Sequence, residues 1–213
     1  MSKSLPGDRE RIAQLGHRAF VGGDGSYWEE IANLQFDLLV AEGLKPDHVL
    51  LDVACGALRA GRKIIAYLEP GNYQGLDKEI DLIILGVALE LGIEQFNQKR
   101  PEFVVTESFD FSKFSRPPDY ALAQSLFTHL TIEDIHTCMD KLRQHVSGQT
   151  KFFATFFEAD QAVKNFDESD ALDCFFYTQA QMHDLAKETG WHMTYIGDWN
   201  HPRGQKLLRF DIE

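Results

Sequence analysis

VLLDVACGALRAGRKIIAYLEPGNYQGLD, residues 49–77, decides the fold. Residues 49–53 are almost all apolar, as a strand covered on both faces must be. A turn of small residues follows, and then a helix over about residues 58–68 that Pro70-Gly71 stops. A second strand runs from Tyr73 to Leu76 and ends at Asp77. Strand, tight turn, helix and strand make one unit of a parallel α/β sheet.

Downstream the pattern repeats. Ile80, Ile83, Ile84, Val87, Ala88 and Leu91 form one helical stripe that Gly92 caps. Residues 103–105 read as the third strand and run into Glu107-Ser108-Phe109-Asp110. The fourth strand covers about 120–126, and Thr131 caps a helix bearing Ile135, Met139 and Leu142. The fifth strand covers about 150–157, while the acidic segment 158–177 has no readable period. Thr178 and Gln181 form a capping box for a helix ending at Gly190. Residues 192–199 and 206–212 are two last strands, joined as a hairpin through Asn200-His201-Pro202-Arg203-Gly204.

Upstream, one helix covers about residues 8–20, and the stretch Val21-Gly22-Gly23-Asp24-Gly25 breaks it. Ser26 with Glu29 reads as a capping box for a second helix, whose face carries Trp28, Ile31, Leu34, Gln35, Leu38 and Leu39. Gly43 and Pro46 end it. The expected architecture is a seven-stranded, mostly parallel, Rossmann-like α/β sheet with a C-terminal antiparallel hairpin. One domain spans 1–213, with a helical lid over 1–45 and the core over 46–213.

The formal net charge of −12 repels phosphate backbones, so nucleic acid is not an expected partner. No apolar run approaches the ~20 residues that span a membrane. The N-terminus has no apolar leader, and a cytoplasmic protein is expected. Three cysteines without C-x-x-C spacing argue against a disulfide framework or a structural zinc, and no histidine pattern suggests a metal.

Small residues at Ala54, Cys55 and Gly56 let the backbone approach a ligand, and the next helix N-terminus offers free N–H groups. Asp77 lies 21 residues after Gly56, where a carboxylate accepts both hydroxyls of a ribose. A dinucleotide site predicts the same acid but also G-x-G-x-x-G, and here the turn reads A-C-G-A-L-R-A-G. Asp52, at the end of the first strand, suits a cationic ligand better than a pyrophosphate. S-adenosyl-L-methionine, with its sulfonium and ammonium, fits.

LLDVACG resembles motif I of the class I S-adenosylmethionine methyltransferases, and GLDKE resembles their second motif. ESFDF, QSLFTHL, FFYTQAQMHDLAKETGW and the terminal strand pair extend the resemblance over about residues 48–212, nearest to the small-molecule enzymes of the ubiquinone-biosynthesis type. The family pattern often has a third glycine where this chain has Leu58. The resemblance implies transfer of the cofactor's methyl group to a small-molecule acceptor.

By position, Asp52, Ala54, Cys55, Gly56, Asp77, Lys78, Phe109, Asp110 and Gln124 are the candidate cofactor contacts, with Phe109 and Asp110 at the adenine. Cys55 is expected to be a packed small residue and no nucleophile. His129 is the candidate general base, with His17 and His201 as weaker ones. Arg18 and Arg59 are either partners for the methionine carboxylate or solvated charges. Tyr27, Trp28, Phe157 and Tyr177 are candidate acceptor contacts, with core packing as the alternative for Trp28. Three other functions fit less well: an NAD-dependent oxidoreductase, a non-catalytic cofactor-binding module, and a methyltransferase acting on protein or RNA.

Overall fold

The computed structural model describes residues 7–22 and 26–212. β1 (Leu50–Val53), β2 (Tyr73–Asp77), β3 (Glu102–Val105), β4 (Tyr120–Ala123) and β5 (Lys151–Glu158) pair in parallel in the order β3-β2-β1-β4-β5. Every residue of β1, β2 and β4 is buried, which fits their mostly apolar side chains and leaves Asp52, Gln74 and Asp77 as buried polar exceptions. The C-terminal hairpin extends the sheet: β8 (Lys206–Asp211) lies antiparallel to both β5 and β7 (His192–Gly197). An eighth strand, β6 (Phe176–Tyr177), pairs in parallel with the end of β5. It adds two residues to the expected seven-stranded sheet, too short a stretch to show a period.

The helices are α1 (Asp8–Leu15), α2 (His17–Gly22), α3 (Trp28–Ala41), α4 (Gly61–Tyr67), α5 (Ile80–Leu85), α6 (Ile93–Lys99), α7 (Ile132–His145) and α8 (Gln179–Glu188). The single helix expected over 8–20 is two, because Gly16 adopts φ +82° between them. α3 starts with Tyr27 at its N-cap, and the Glu29 carboxylate reaches Arg62 at 2.5 Å rather than closing a capping box. Residues 23–25 of the expected glycine break lie outside the described residues. The Thr131 cap and the Thr178–Gln181 capping box are present.

The stripe read over 80–91 is not one buried face. α5 runs into a π-helical turn, Gly86–Leu91, whose extra residue per turn rotates the pattern. Ile80 and Ile84 are exposed, while Leu82, Ile83 and Leu91 are buried. A Cβ on Gly86 would stand 2.7 Å from the Ala57 carbonyl carbon, so this glycine lets the turn sit directly on the loop after β1. Leu82 thereby joins Ala57, Ile12, Phe20 and Trp28 in a cluster that holds the N-terminal helices to that loop.

Candidate functional site

β1 leads left to β2 and β3, and β4 starts the other half of the sheet to the right. A crevice opens beyond the strand ends at such a reversal. A cavity of about 280 Å³ lies here. Asp52, Ala54, Cys55, Gly56, Asp77, Lys78, Phe109, Gln124 and His129 all line it.

The turn after β1 is left-handed at alternate residues: Ala54 at φ +61°, Gly56 at +53° and Leu58 at +61°. Leu58 thus takes the conformation a glycine would favour, and it does so fully buried among Ile64, Ile65 and Tyr73. Phe109 (φ +52°) after β3 and Ser125 (φ +58°) after β4 are also left-handed. Such backbone costs of order 1–3 kcal/mol per residue and gathers at ligand sites. Here Ala54, Phe109 and Ser125 border the same cavity.

Asp77 is held from two sides. Its Oδ2 accepts the Gly56 N–H at 2.8 Å and its Oδ1 accepts the Glu79 N–H at 2.8 Å. Burial pushes its carboxyl up, and those N–H bonds pull it back down. Asp52 accepts the Tyr73 hydroxyl at 2.7 Å. Burial raises Asp52 to about 7, against the Tyr73 bond and with help from the Asp77 charge. Burial and the two acids also raise the Cys55 thiol, whose sulfur packs over Gly75.

Three buried polar atoms on this cavity have no partner: Gln35 Nε2, Arg59 Nε and Gln124 Oε1. The Gln124 Nε2 is occupied, donating to Gln205 Oε1 at 2.9 Å and to Ser125 Oγ at 3.0 Å, with His201 Nε2 at 3.2 Å. That leaves Gln124 Oε1, on a residue that lines the cavity, as an unused acceptor. His129 Nδ1 lies 2.7 Å from the Asp173 carbonyl oxygen. A carbonyl only accepts, so Nδ1 carries the proton and Nε2 is bare. Burial lowers the His129 pKa, keeping the ring neutral.

Other sequence candidates lie elsewhere. Asp110 stands at the start of a short 3-10 turn, Phe111–Lys113, accepts from Ser112 Oγ at 2.5 Å and does not line the cavity. Thr106 and Glu107 line that wall instead. Tyr27 is exposed, and Trp28 is core with the Arg18 guanidinium over its ring. Arg18 pairs with Glu90 at 2.6 Å. Phe157 stacks on Phe176, and the Tyr177 hydroxyl donates to the Leu130 carbonyl at 2.6 Å. His17 contacts Glu90, and His201 supports Gln124 from behind.

Sequence reasoning missed Phe20, Val21, Gln35, Ser125, Asp134 and Ser169-Asp170-Ala171 on the cavity. Gln35 left a trace, as the one amide on the apolar stripe of α3. Among the described residues, no three His, Cys, Asp or Glu side chains are grouped to hold a metal ion, and no helix is long and apolar enough to cross a membrane.

No family model matches the sequence. Solved structures match over nearly the whole chain. Magnesium protoporphyrin IX methyltransferase (ChlM) from Synechocystis PCC 6803, crystallised with bound SAM, is 12% identical with a TM-score of 0.67, covering 100% of both chains. DesVI of Streptomyces venezuelae is 15% identical with a TM-score of 0.64, covering 98% of this chain and 100% of that one. A TehB-like SAM-dependent methyltransferase from Corynebacterium glutamicum ATCC 13032 Kitasato is 16% identical with a TM-score of 0.62, with the same coverage. The chain therefore has the class I SAM-dependent methyltransferase fold.

Proposed function

We propose that this chain is an S-adenosyl-L-methionine-dependent methyltransferase acting on a small-molecule acceptor. The observation that carries the reading is the cavity at the β1/β4 reversal, where the left-handed 54–58 turn, two buried acids and three unpartnered polar atoms converge. Unpaired buried polar atoms are costly, so a polar ligand belongs there.

Each proposed contact has a geometric basis. Asp77 keeps a free lone-pair position on each oxygen beyond its two N–H bonds, enough for two ribose hydroxyls. Phe109 supplies an apolar wall for the adenine, and the 54–56 backbone faces the methionine part. Asp52 faces the ammonium and sulfonium, whose charge favours its ionised form. A pyrophosphate would meet that carboxylate unfavourably, which disfavours a dinucleotide. Gln124 Oε1 accepts from the cofactor's ammonium. Lys78 closes the ribose end through its ion pair with Asp8 of α1.

When bound, S-adenosyl-L-methionine supplies a methyl group on a sulfonium that is already a good leaving group. The protein's task is to align the acceptor and exclude water. Phe20 and Val21 of α2 cover the cavity, and the Val21 methyls pack on Gly56, consistent with a lid formed by the N-terminal helices. His129 Nε2 takes the acceptor's proton. The test is a calorimetric titration with S-adenosylhomocysteine, followed by an acceptor panel with labelled cofactor. Binding plus transfer to a small molecule supports the proposal. Binding without transfer to any acceptor favours a non-catalytic module.

A further inference from the structure

Ser125 follows β4 with a left-handed backbone and lines the cavity. Its Oγ receives N–H groups from Gln124 Nε2 at 3.0 Å and from Gln205 Nε2 at 3.0 Å. Gln205 is buried and reaches Ser125 from just before β8. The oxygen of that amide is crowded. Around Gln205 Oε1 stand the Thr155 hydroxyl at 2.8 Å, Gln124 Nε2 at 2.9 Å and the Ser125 hydroxyl at 3.1 Å. A carbonyl oxygen has two lone pairs, so three donors are one too many. Thr155 and Gln124 are the nearer two, and the Ser125 hydroxyl is the surplus third. The Thr155 hydroxyl is further fixed, because its oxygen accepts the Ser125 N–H at 2.8 Å. The Ser125 hydrogen is therefore free to turn to a ligand, and the two N–H bonds into its oxygen strengthen it as a donor.

Ser125 and His129 belong to one turn. Thr128 Oγ1 donates to the Ser125 carbonyl at 2.8 Å, and the His129 N–H donates to the Leu126 carbonyl at 3.0 Å. Both residues line the same cavity with opposite roles. Ser125 offers a hydrogen. His129 has Nδ1 committed to the Asp173 carbonyl, so its Nε2 offers a lone pair.

We infer that Ser125 and His129 grip a hydroxyl group of the acceptor, which makes this a site for methylating the oxygen of an alcohol or phenol. The inference rests on the methyltransferase reading. A hydroxyl group has two lone pairs and one hydrogen. One lone pair accepts from Ser125, the hydrogen goes to His129 Nε2, and the second lone pair is left to attack. A neutral amine has a single lone pair. Spent on Ser125, it cannot attack; kept for attack, it leaves the Ser125 donor unpaired. In the transfer the acceptor oxygen forms a C–O bond to the methyl carbon, and the C–S bond breaks with its electron pair kept by sulfur. The hydroxyl proton moves to His129 Nε2. Gln205 is a positioning residue that acts through Ser125.

The test is calorimetry on the complex with S-adenosylhomocysteine. It compares phenol with aniline, and catechol with ortho-phenylenediamine, pairs that differ only at the acceptor atom and carry no charge near neutral pH. Wild type should bind each hydroxyl member at least about fivefold tighter than its amine, the worth of one hydrogen bond. Ser125→Ala should bring the members of each pair within about twofold. Gln205→Glu should do the same with the serine in place, because a carboxylate has acceptor sites enough to hold the Ser125 hydrogen. It also carries the comparison if Ser125→Ala fails to fold. With labelled S-adenosyl-L-methionine, wild type should methylate the hydroxyl members and not the amines. Equal affinity within the pairs, no binding of either hydroxyl member, a preference that survives in Ser125→Ala with both members weakened alike, or transfer to aniline as fast as to phenol overturns the inference. Wild-type protein that does not bind S-adenosylhomocysteine instead overturns the methyltransferase reading.

Discussion

The Gly56 N–H donates to Asp77 Oδ2 at 2.8 Å, so the turn after β1 and the acid after β2 are one unit. The acid that the sequence spacing marks for a ribose also fixes the 54–56 loop on the cavity. In the proposed function, Asp77 is therefore a structural and a binding residue at once.

Asp52 makes the free protein sensitive to pH. Its folded pKa of about 7 stands above the ordinary aspartate value of 3.8, so the folded state binds the proton more tightly. That contribution is complete below about pH 4 and is lost as pH rises through 7. Relative to wild type, Asp52→Asn should raise apo stability by about 1–2 kcal/mol at pH 8, with the gain shrinking at pH 5. Paired thermal melts across this range check it; a pH-independent difference would refute it. The same variant should bind S-adenosylhomocysteine more weakly.

Ala54 holds a left-handed backbone that glycine adopts without strain. Ala54→Gly should stabilise the protein by about 1 kcal/mol. Leu58→Gly should do the opposite, because the buried side chain leaves a cavity worth about 2–4 kcal/mol. Urea titrations of the two variants should move in opposite directions.

His129→Gln should cut turnover by about 10²–10⁴-fold with any acceptor that must lose a proton. Its affinity for S-adenosylhomocysteine should stay within about twofold, since no proposed cofactor contact is removed. The lowered wild-type pKa keeps the ring neutral, so activity should persist below the usual histidine range and fall only at lower pH.

A chain of ion pairs links two cavity-lining residues, Lys78 and Asp170: Lys78–Asp8 at 2.5 Å, Asp8–Arg11 at 3.2 Å and Arg11–Asp170 at 2.8 Å. It ties the β2 side to the 158–175 segment through α1. Raising salt from about 0.05 to about 0.5 M should speed S-adenosylhomocysteine release several-fold in wild type. Arg11→Ala should release quickly at both salt levels. Stopped-flow displacement reads both, and an unchanged rate would remove the strap from the account.

What could be read early and what could not follows from where the information lies. The 49–77 unit is local, and strand burial, turn residues and the placement of Asp77 are all written within one stretch of chain. The two capping boxes at issue differ for a physical reason: Thr178 and Gln181 are free to close theirs, whereas Glu29 is captured by Arg62. The π turn at Gly86–Leu91 departs from a 3.6-residue pattern where Gly86 packs on Ala57, a contact from another element that the local sequence does not show. Gln35 and Asp170 reach the cavity by tertiary packing alone. Tyr177 is a candidate acceptor contact in the sequence because its aromatic character shows there, and its bond to Leu130 does not.

The most direct test titrates S-adenosylhomocysteine and NADH separately into wild type and Asp77→Ala by calorimetry. The account predicts binding of S-adenosylhomocysteine alone, weakened at least about tenfold in the variant. The orphaned Gly56 N–H should also cost the variant about 1–2 kcal/mol of apo stability. Binding of NADH without S-adenosylhomocysteine, or full affinity for S-adenosylhomocysteine in Asp77→Ala, would contradict it.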